Sequence, residues 1–160
     1  DIKSMEDRFY RELIKVPSPA GILDVAIRAK SKWRMHVECV TNVIPGWNDN
    51  DDNLLRTAAW IAENLGDDTP WHVSRFFPYG KLSNVPPTPP ATLERAVEIG
   101  KRQGLKFVYI GNLRTETGEN TYCPKCGGLA IERVGYSTRI VGLNDRGRCA
   151  TDGEDLNVRM

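Results

Sequence analysis

Apolar, β-branched runs alternate with helical runs along the first 111 residues, and that alternation most narrows the folds open to this chain. Strands are expected at 34–44 (RMHVECVTNVI), 71–77 (WHVSRFF) and 105–110 (LKFVYI), all rich in Val, Ile, Thr and aromatic residues. Between and before them lie four helical stretches. Residues 5–15 carry Phe9, Leu13 and Ile14 behind a Ser4 cap, and 22–32 carries Ile22, Val25, Ala26 and Ala29. Residues 51–65 carry Leu54, Leu55, Ala58, Ala59, Ile61, Ala62 and Leu65 before Gly66, and 91–103 carries Leu93, Ala96, Val97 and Gly100. Proline and glycine clusters at 16–21, 45–49 and 78–90 separate them, the last as a long surface loop. Such alternation calls for right-handed crossovers and a parallel sheet. A complete eight-unit β/α barrel takes about 250 residues. The chain has 160, so only about half of a barrel is present and the expected architecture is α/β, a partial (β/α) barrel.

After Asn112 the long apolar runs stop, glycine becomes frequent and cysteines appear. Residues 1–114 therefore read as the barrel portion and 115–160 as a separate, cysteine-bearing tail. The formal net charge of +1 and the absence of a dense Lys/Arg cluster argue against a nucleic-acid partner. No apolar run approaches the roughly 20 residues needed to span a bilayer, so no membrane association is expected. The chain opens Asp1-Ile2-Lys3, like the tail of a strand, without a basic start or apolar stretch. A cytoplasmic location and an origin inside a longer protein are the corresponding expectations.

Of the four cysteines, Cys39 lies in an apolar strand and reads as a buried, inert thiol. Cys123-Pro124-Lys125-Cys126-Gly127-Gly128 is a knuckle: two residues between the thiolates let both sulfurs address one ion, and the glycines let the backbone turn. A closed tetrahedral site needs four ligands. The hairpin strands Leu129–Val134 and Ser137–Leu143 lead to Cys149, where a third ligand belongs, and the fourth position holds Asp152. A structural zinc held by Cys123, Cys126, Cys149 and Asp152, a knuckle that no longer binds, and a redox Cys-x-x-Cys are the three readings of this zinc-ribbon-like region.

Five stretches taken together carry a family resemblance: Thr41-Asn42-Val43-Ile44-Pro45-Gly46-Trp47-Asn48-Asp49; Trp71 through Leu82; Pro86-Pro87-Thr88-Pro89; Tyr109-Ile110-Gly111-Asn112; and Glu119 through Gly127. In this order they resemble the C-terminal half of AmmeMemoRadiSam system radical SAM enzymes, which are similar to pyruvate formate-lyase-activating enzymes. The resemblance implies a radical SAM barrel in which a Cys-x3-Cys-x2-Cys loop holds a [4Fe–4S] cluster. That cluster cleaves S-adenosylmethionine reductively to a hydrogen-abstracting 5′-deoxyadenosyl radical. This chain contains no such motif, so the N-terminal half of the barrel is expected to be missing and the fragment inactive alone.

The resemblance also places Asp1 and Lys3, as the family's Asp-x-Lys, on the S-adenosylmethionine face. Thr41 and Asn42 near the end of one strand and Arg75 near the end of the next would join them, since barrels build sites there. Local hydrogen bonds or a surface ion pair are the plain alternative for these three. Phe77 stands where some relatives carry a histidine, and His72 reads as a packed strand residue. A protein substrate or partner is expected, because an activating enzyme must dock its target. The alternative function is a zinc-ribbon-bearing protein-binding module without catalysis.

Overall fold

The computed structural model describes residues 1–115 and 118–158. The chain divides into two compact units, Asp1–Leu113 and Arg114–Met160.

In the first unit the elements are α1 (Asp7–Phe9), a π-helical turn (Tyr10–Ile14), α2 (Ala20–Ser31), β1 (Cys39–Val43), α3 (Asp51–Leu65), β2 (Trp71–Arg75), a 3-10 turn (Gly80–Leu82), α4 (Pro90–Arg102) and β3 (Val108–Gly111). The three strands are parallel in the order β1-β2-β3, with Cys39 opposite Trp71 and Trp71 opposite Val108. Each strand pairs with the next in the chain, α3 and α4 serving as the crossovers. The fold is mixed α/β with a parallel sheet. Among the described residues no helix is long and apolar enough to cross a membrane.

One face of the sheet forms the core. Cys39, Val43, Trp71, Val73 and Ile110 pack with Leu54, Ala58, Ile61 and Leu65 of α3 and Leu93, Ala96 and Ile99 of α4. Each fully buried Leu or Ile in this stripe contributes about 1.5–3 kcal/mol. Asn50 caps α3 by accepting from the Asn53 amide, and two aspartates in the first turn suit the helix dipole. Pro90 opens α4, where a missing N–H costs nothing. Gly100 lies inside α4 despite its poor helix propensity. A Cβ there would sit 2.9 Å from Val108 Cγ2 and 3.1 Å from the Trp71 ring, so glycine is what lets the helix reach the sheet.

Several elements differ from the sequence expectation. The 34–44 strand contracts to Cys39–Val43, because Arg34 adopts a left-handed conformation (φ 51°) and Met35 N–H bonds back to the Ala29 carbonyl, closing α2. In α2 the inward side is Leu23, Ala26 and Ile27, leaving Val25 half exposed. The first helix widens into the π-helical turn, ended by Lys15 at φ 67°, and adjacent Phe9 and Tyr10 are both buried. These two pack with Ile44 and Phe76 just past the ends of β1 and β2.

Buried polar groups join the segments. Asn48 Nδ2 donates to the carbonyls of Lys3 (2.6 Å) and Asn42 (3.0 Å), and its Oδ1 accepts from Ile44 N–H (2.6 Å). Asn53 Oδ1 accepts from the Ser4 hydroxyl and Met5 N–H, while its Nδ2 donates to the Asn48 carbonyl. Thr88, in the proline-rich loop read as solvent-facing, is fully buried: its hydroxyl donates to the Val43 carbonyl and accepts from Phe76 N–H. Flanking prolines hold that threonine extended against the strand ends.

The second unit holds an antiparallel sheet, β4 (Thr121–Tyr122), β5 (Leu129–Val134) and β6 (Ser137–Ile140), in the order β4-β5-β6. A two-residue turn, Gly135-Tyr136, joins β5 to β6, with Val134 opposite Ser137.

Two substitutions test this packing. Gly100→Ala is expected to destabilise the first unit in urea titration although alanine gains about 1 kcal/mol of helix propensity. Asn48→Ala, which strands buried amide and carbonyl groups, should cost about 2–4 kcal/mol.

Candidate functional site

The second unit brings together the four residues read as a knuckle. Its two turns share one backbone pattern. In the first, Cys123 N–H donates to the Gly128 carbonyl (2.8 Å) and Gly127 N–H to the Cys123 carbonyl (2.9 Å). In the second, Cys149 N–H donates to the Glu154 carbonyl and Gly153 N–H to the Cys149 carbonyl, both at 2.9 Å. Gly127 and Gly153 adopt φ 73° and 75°, the left-handed corner each turn requires. Asp152 therefore occupies in the second turn the place that Cys126 occupies in the first.

The ligand atoms of Cys123, Cys126, Cys149 and Asp152 lie within 4.8 Å of one another. Cys126 Sγ is 3.7 Å from Cys149 Sγ, and Cys123 Sγ is 3.5 Å and 3.6 Å from the two Asp152 oxygens. A tetrahedral zinc with bonds of about 2.3 Å to sulfur and 2.0 Å to oxygen has ligand separations of about 3.75 Å (S···S) and 3.5 Å (S···O). The observed spacing fits a single ion. A four-iron cluster bonds each protein ligand to a different iron and needs them farther apart.

The electrostatics point the same way. The Asp152 and Thr151 amides hold the Cys149 thiol below its ordinary value, although burial opposes them. The Glu154 amide does the same for Asp152, which also accepts its N–H at 3.0 Å. The Gly128 amide favours the Cys126 thiolate, but burial, both neighbouring thiols and Asp152 outweigh it and push Cys126 up to about 11. The last negative charge is resisted unless a cation supplies the compensation. Cys39, in the first unit, is 2% exposed and pushed up to about 11 by burial, as suits an inert thiol.

The remaining candidates lie in the first unit, on both faces of the parallel sheet. Ile2 N–H donates to the Val40 carbonyl (3.0 Å), so residues 1–3 run along β1, and Ile2 enters the core. Asp1 and Lys3 alternate with it, away from that core, and pair at 3.2 Å. Partial burial lowers the Lys3 pKa. Asn42, Ser74 and Gly111 share this second face in one cross-strand row, with Val40, His72 and Tyr109 in the row before it. Asn42 Oδ1 is buried without a hydrogen-bond partner among the described residues. A Cβ on Gly111 would fall 2.7 Å from the Ser74 hydroxyl, so the row stays open only with glycine there.

Thr41 and Arg75 share the core-side alternation. The Thr41 hydroxyl donates to the Ile2 carbonyl (2.6 Å) and accepts from the Trp71 indole (2.9 Å), fully buried. Arg75 donates to the Thr88 carbonyl and stacks its guanidinium 5.1 Å from the Phe77 ring centre. The structure thus groups Asp1, Lys3 and Asn42 and leaves Thr41 and Arg75 in other contacts. His72 bonds Glu38 at 2.9 Å and lies 5.2 Å from the Tyr109 ring. Ser74 and Gly111 were not singled out from the sequence; strand register, invisible in the sequence, brings them beside Asn42.

No protein-family profile matches the chain. It is 42% identical over 159 residues, 99% of its length, to an uncharacterized protein of Methanocaldococcus jannaschii, and those residues make up 47% of that protein. The chain thus spans about half the length of this relative. Among solved structures it is similar to a domain of pyruvate-formate lyase-activating enzyme from Bacteroides vulgatus. The TM-score is 0.55 at 20% identity, covering 69% of this chain and 63% of that one. The chain's mixed α/β fold with a parallel sheet is therefore similar to that of an activating-enzyme domain.

Metal analysis of anaerobically purified protein is expected to give about one zinc per chain. Cys126→Ala should abolish it, Asp152→Cys should retain it, and affinity should fall with falling pH as protons compete for the thiolates.

Proposed function

We propose that the chain is the substrate-side portion of a radical S-adenosylmethionine enzyme of the activating-enzyme type, belonging to the AmmeMemoRadiSam group its motifs resemble. The observation that carries this reading is the row on the second face of the parallel sheet. It holds a buried acceptor on Asn42 that has no partner among the described residues, a serine, a glycine that keeps the surface open, and the Asp1–Lys3 pair nearby. These groups suit the amino-acid end of S-adenosylmethionine: a carboxylate and an acceptor for its ammonium, a lysine for its carboxylate. The likeness of the fold to an activating-enzyme domain supports the same reading.

When bound at a reduced [4Fe–4S] cluster, S-adenosylmethionine supplies a carbon-centred radical for hydrogen abstraction. Ligands for that cluster are not among this chain's residues: no Cys-x3-Cys-x2-Cys occurs, and the thiols of the second unit are spaced for one ion. In this reading the cluster loop comes from additional length of the kind the Methanocaldococcus relative has, the chain alone binds without reacting, and the metal knuckle is structural. The substrate is a protein docked by the enzyme, in the cytoplasm.

Equilibrium dialysis of the chain against radiolabelled S-adenosylmethionine tests the proposal. Saturable binding is expected, displaced by S-adenosylhomocysteine and weakened about tenfold, some 1.4 kcal/mol, by Lys3→Ala or Asn42→Ala. Cys126→Ala should leave it intact. Binding that is absent, or indifferent to both changes in the sheet, would contradict the reading.

A further inference from the structure

We infer that the turn from α2 into β1, residues 31–36, is a docking site for an acidic peptide segment that carries an apolar side chain. All six residues are exposed, including two large apolar ones: Trp33 at 53% and Met35 at 56%. Tryptophan and methionine are enriched where proteins meet partners, and a tryptophan half out of the surface is the usual anchor of such a contact.

Charge selects the partner. Residues 20–38 contain four Lys and Arg and only two acids, Asp24 and Glu38. Both acids are engaged: Asp24 pairs with Arg28 at 2.9 Å, and Glu38 lies 2.9 Å from both His36 and His72. Lys30 is occupied too, 2.8 Å from Asp68 on another segment. Lys32 and Arg34, which flank Trp33, have no carboxylate partner among the described residues. Lys32 places its ammonium 5.9 Å from the Trp33 ring centre, so cation and ring form one surface. An occupant that satisfies both offers carboxylates to Lys32 and Arg34 and an apolar side chain to Trp33 and Met35.

The turn is also set in place. Trp33 N–H donates to the Arg28 carbonyl and Met35 N–H to the Ala29 carbonyl, and between them Arg34 holds φ 51°. That left-handed conformation is unfavourable for arginine, where glycine or asparagine would be cheaper. The two apolar side chains are thus presented on a fixed backbone, which lowers the entropy lost on binding. The turn precedes β1, whereas Asn42 lies toward the strand's other end, so this surface is separate from the proposed ligand row.

The test is fluorescence anisotropy of the full chain with a labelled synthetic peptide alternating glutamate with leucine and phenylalanine. A glutamate–serine peptide of equal charge is the control. Saturable binding is expected for the first peptide only, falling with added salt and weakened at least tenfold by Trp33→Ala and by the double change Lys32→Glu, Arg34→Glu. Exposed positions should leave the melting temperature of both variants unchanged. Absent binding, equal binding of the two peptides, or indifference to the substitutions would overturn the proposal. So would Trp33-dependent binding to phosphatidylserine vesicles without peptide binding, which would make this a membrane contact. A Trp33-dependent dimer in sedimentation would instead mean that a second copy covers the turn.

Discussion

The first unit depends on two buried asparagines. Asn48 and Asn53 tie three pieces of backbone that no strand ladder joins: residues 3–5, the end of β1 and the start of α3. Buried amides of this kind stabilise only when every donor and acceptor is met, and here the partners are mostly backbone groups that the turn would otherwise leave unpaired. The same network fixes residues 1–3 beside β1, which sets Asp1 and Lys3 on the face opposite the core. Thr41 and Thr88 extend this stitching to Trp71 and the ends of β1 and β2. The position of the row of Asn42, Ser74 and Gly111 is thus a consequence of polar contacts buried at its margin.

The second unit rests on a different constraint. Its β6 strand is exposed along its whole length, and few of its apolar side chains are fully buried. A 47-residue unit with so small a core is in the size range where metal or disulfide cross-links commonly hold the fold. Two turns of matching hydrogen-bond pattern present three thiols and one carboxylate at single-ion spacing, and the ion would supply what the core does not. Aspartate in the fourth place preserves charge and reach while replacing sulfur with a harder ligand.

Much of this was readable from residue order. The helices at 51–65 and 91–103 carry clean apolar stripes with good starts, and they form within a residue of the expected limits. The parallel sheet follows from the alternation of elements. Periodicity failed where tertiary contacts decide. Val25 fits a helical stripe yet faces outward, and β-branched content at 34–38 says nothing of the left-handed Arg34 that ends the preceding helix. Thr88 within a proline-rich loop gave no sign that its hydroxyl bridges two strand ends. The cluster of Cys123, Cys126, Cys149 and Asp152 was visible through spacing, whereas the row of Asn42, Ser74 and Gly111 depends on strand register, which three separate segments determine only once folded.

The chain thus carries a parallel α/β sheet, whose second face holds the row proposed to bind S-adenosylmethionine, and a cluster of three thiols and one carboxylate at single-ion spacing. X-ray absorption at the zinc and iron edges of anaerobically purified protein tests this division most directly. The account predicts one zinc with three sulfur neighbours at about 2.3 Å and one oxygen at about 2.0 Å. An iron signal with a second iron in its nearest shells would show a cluster housed in this chain, and would contradict both the single-ion clasp and the assignment of cluster chemistry to other residues.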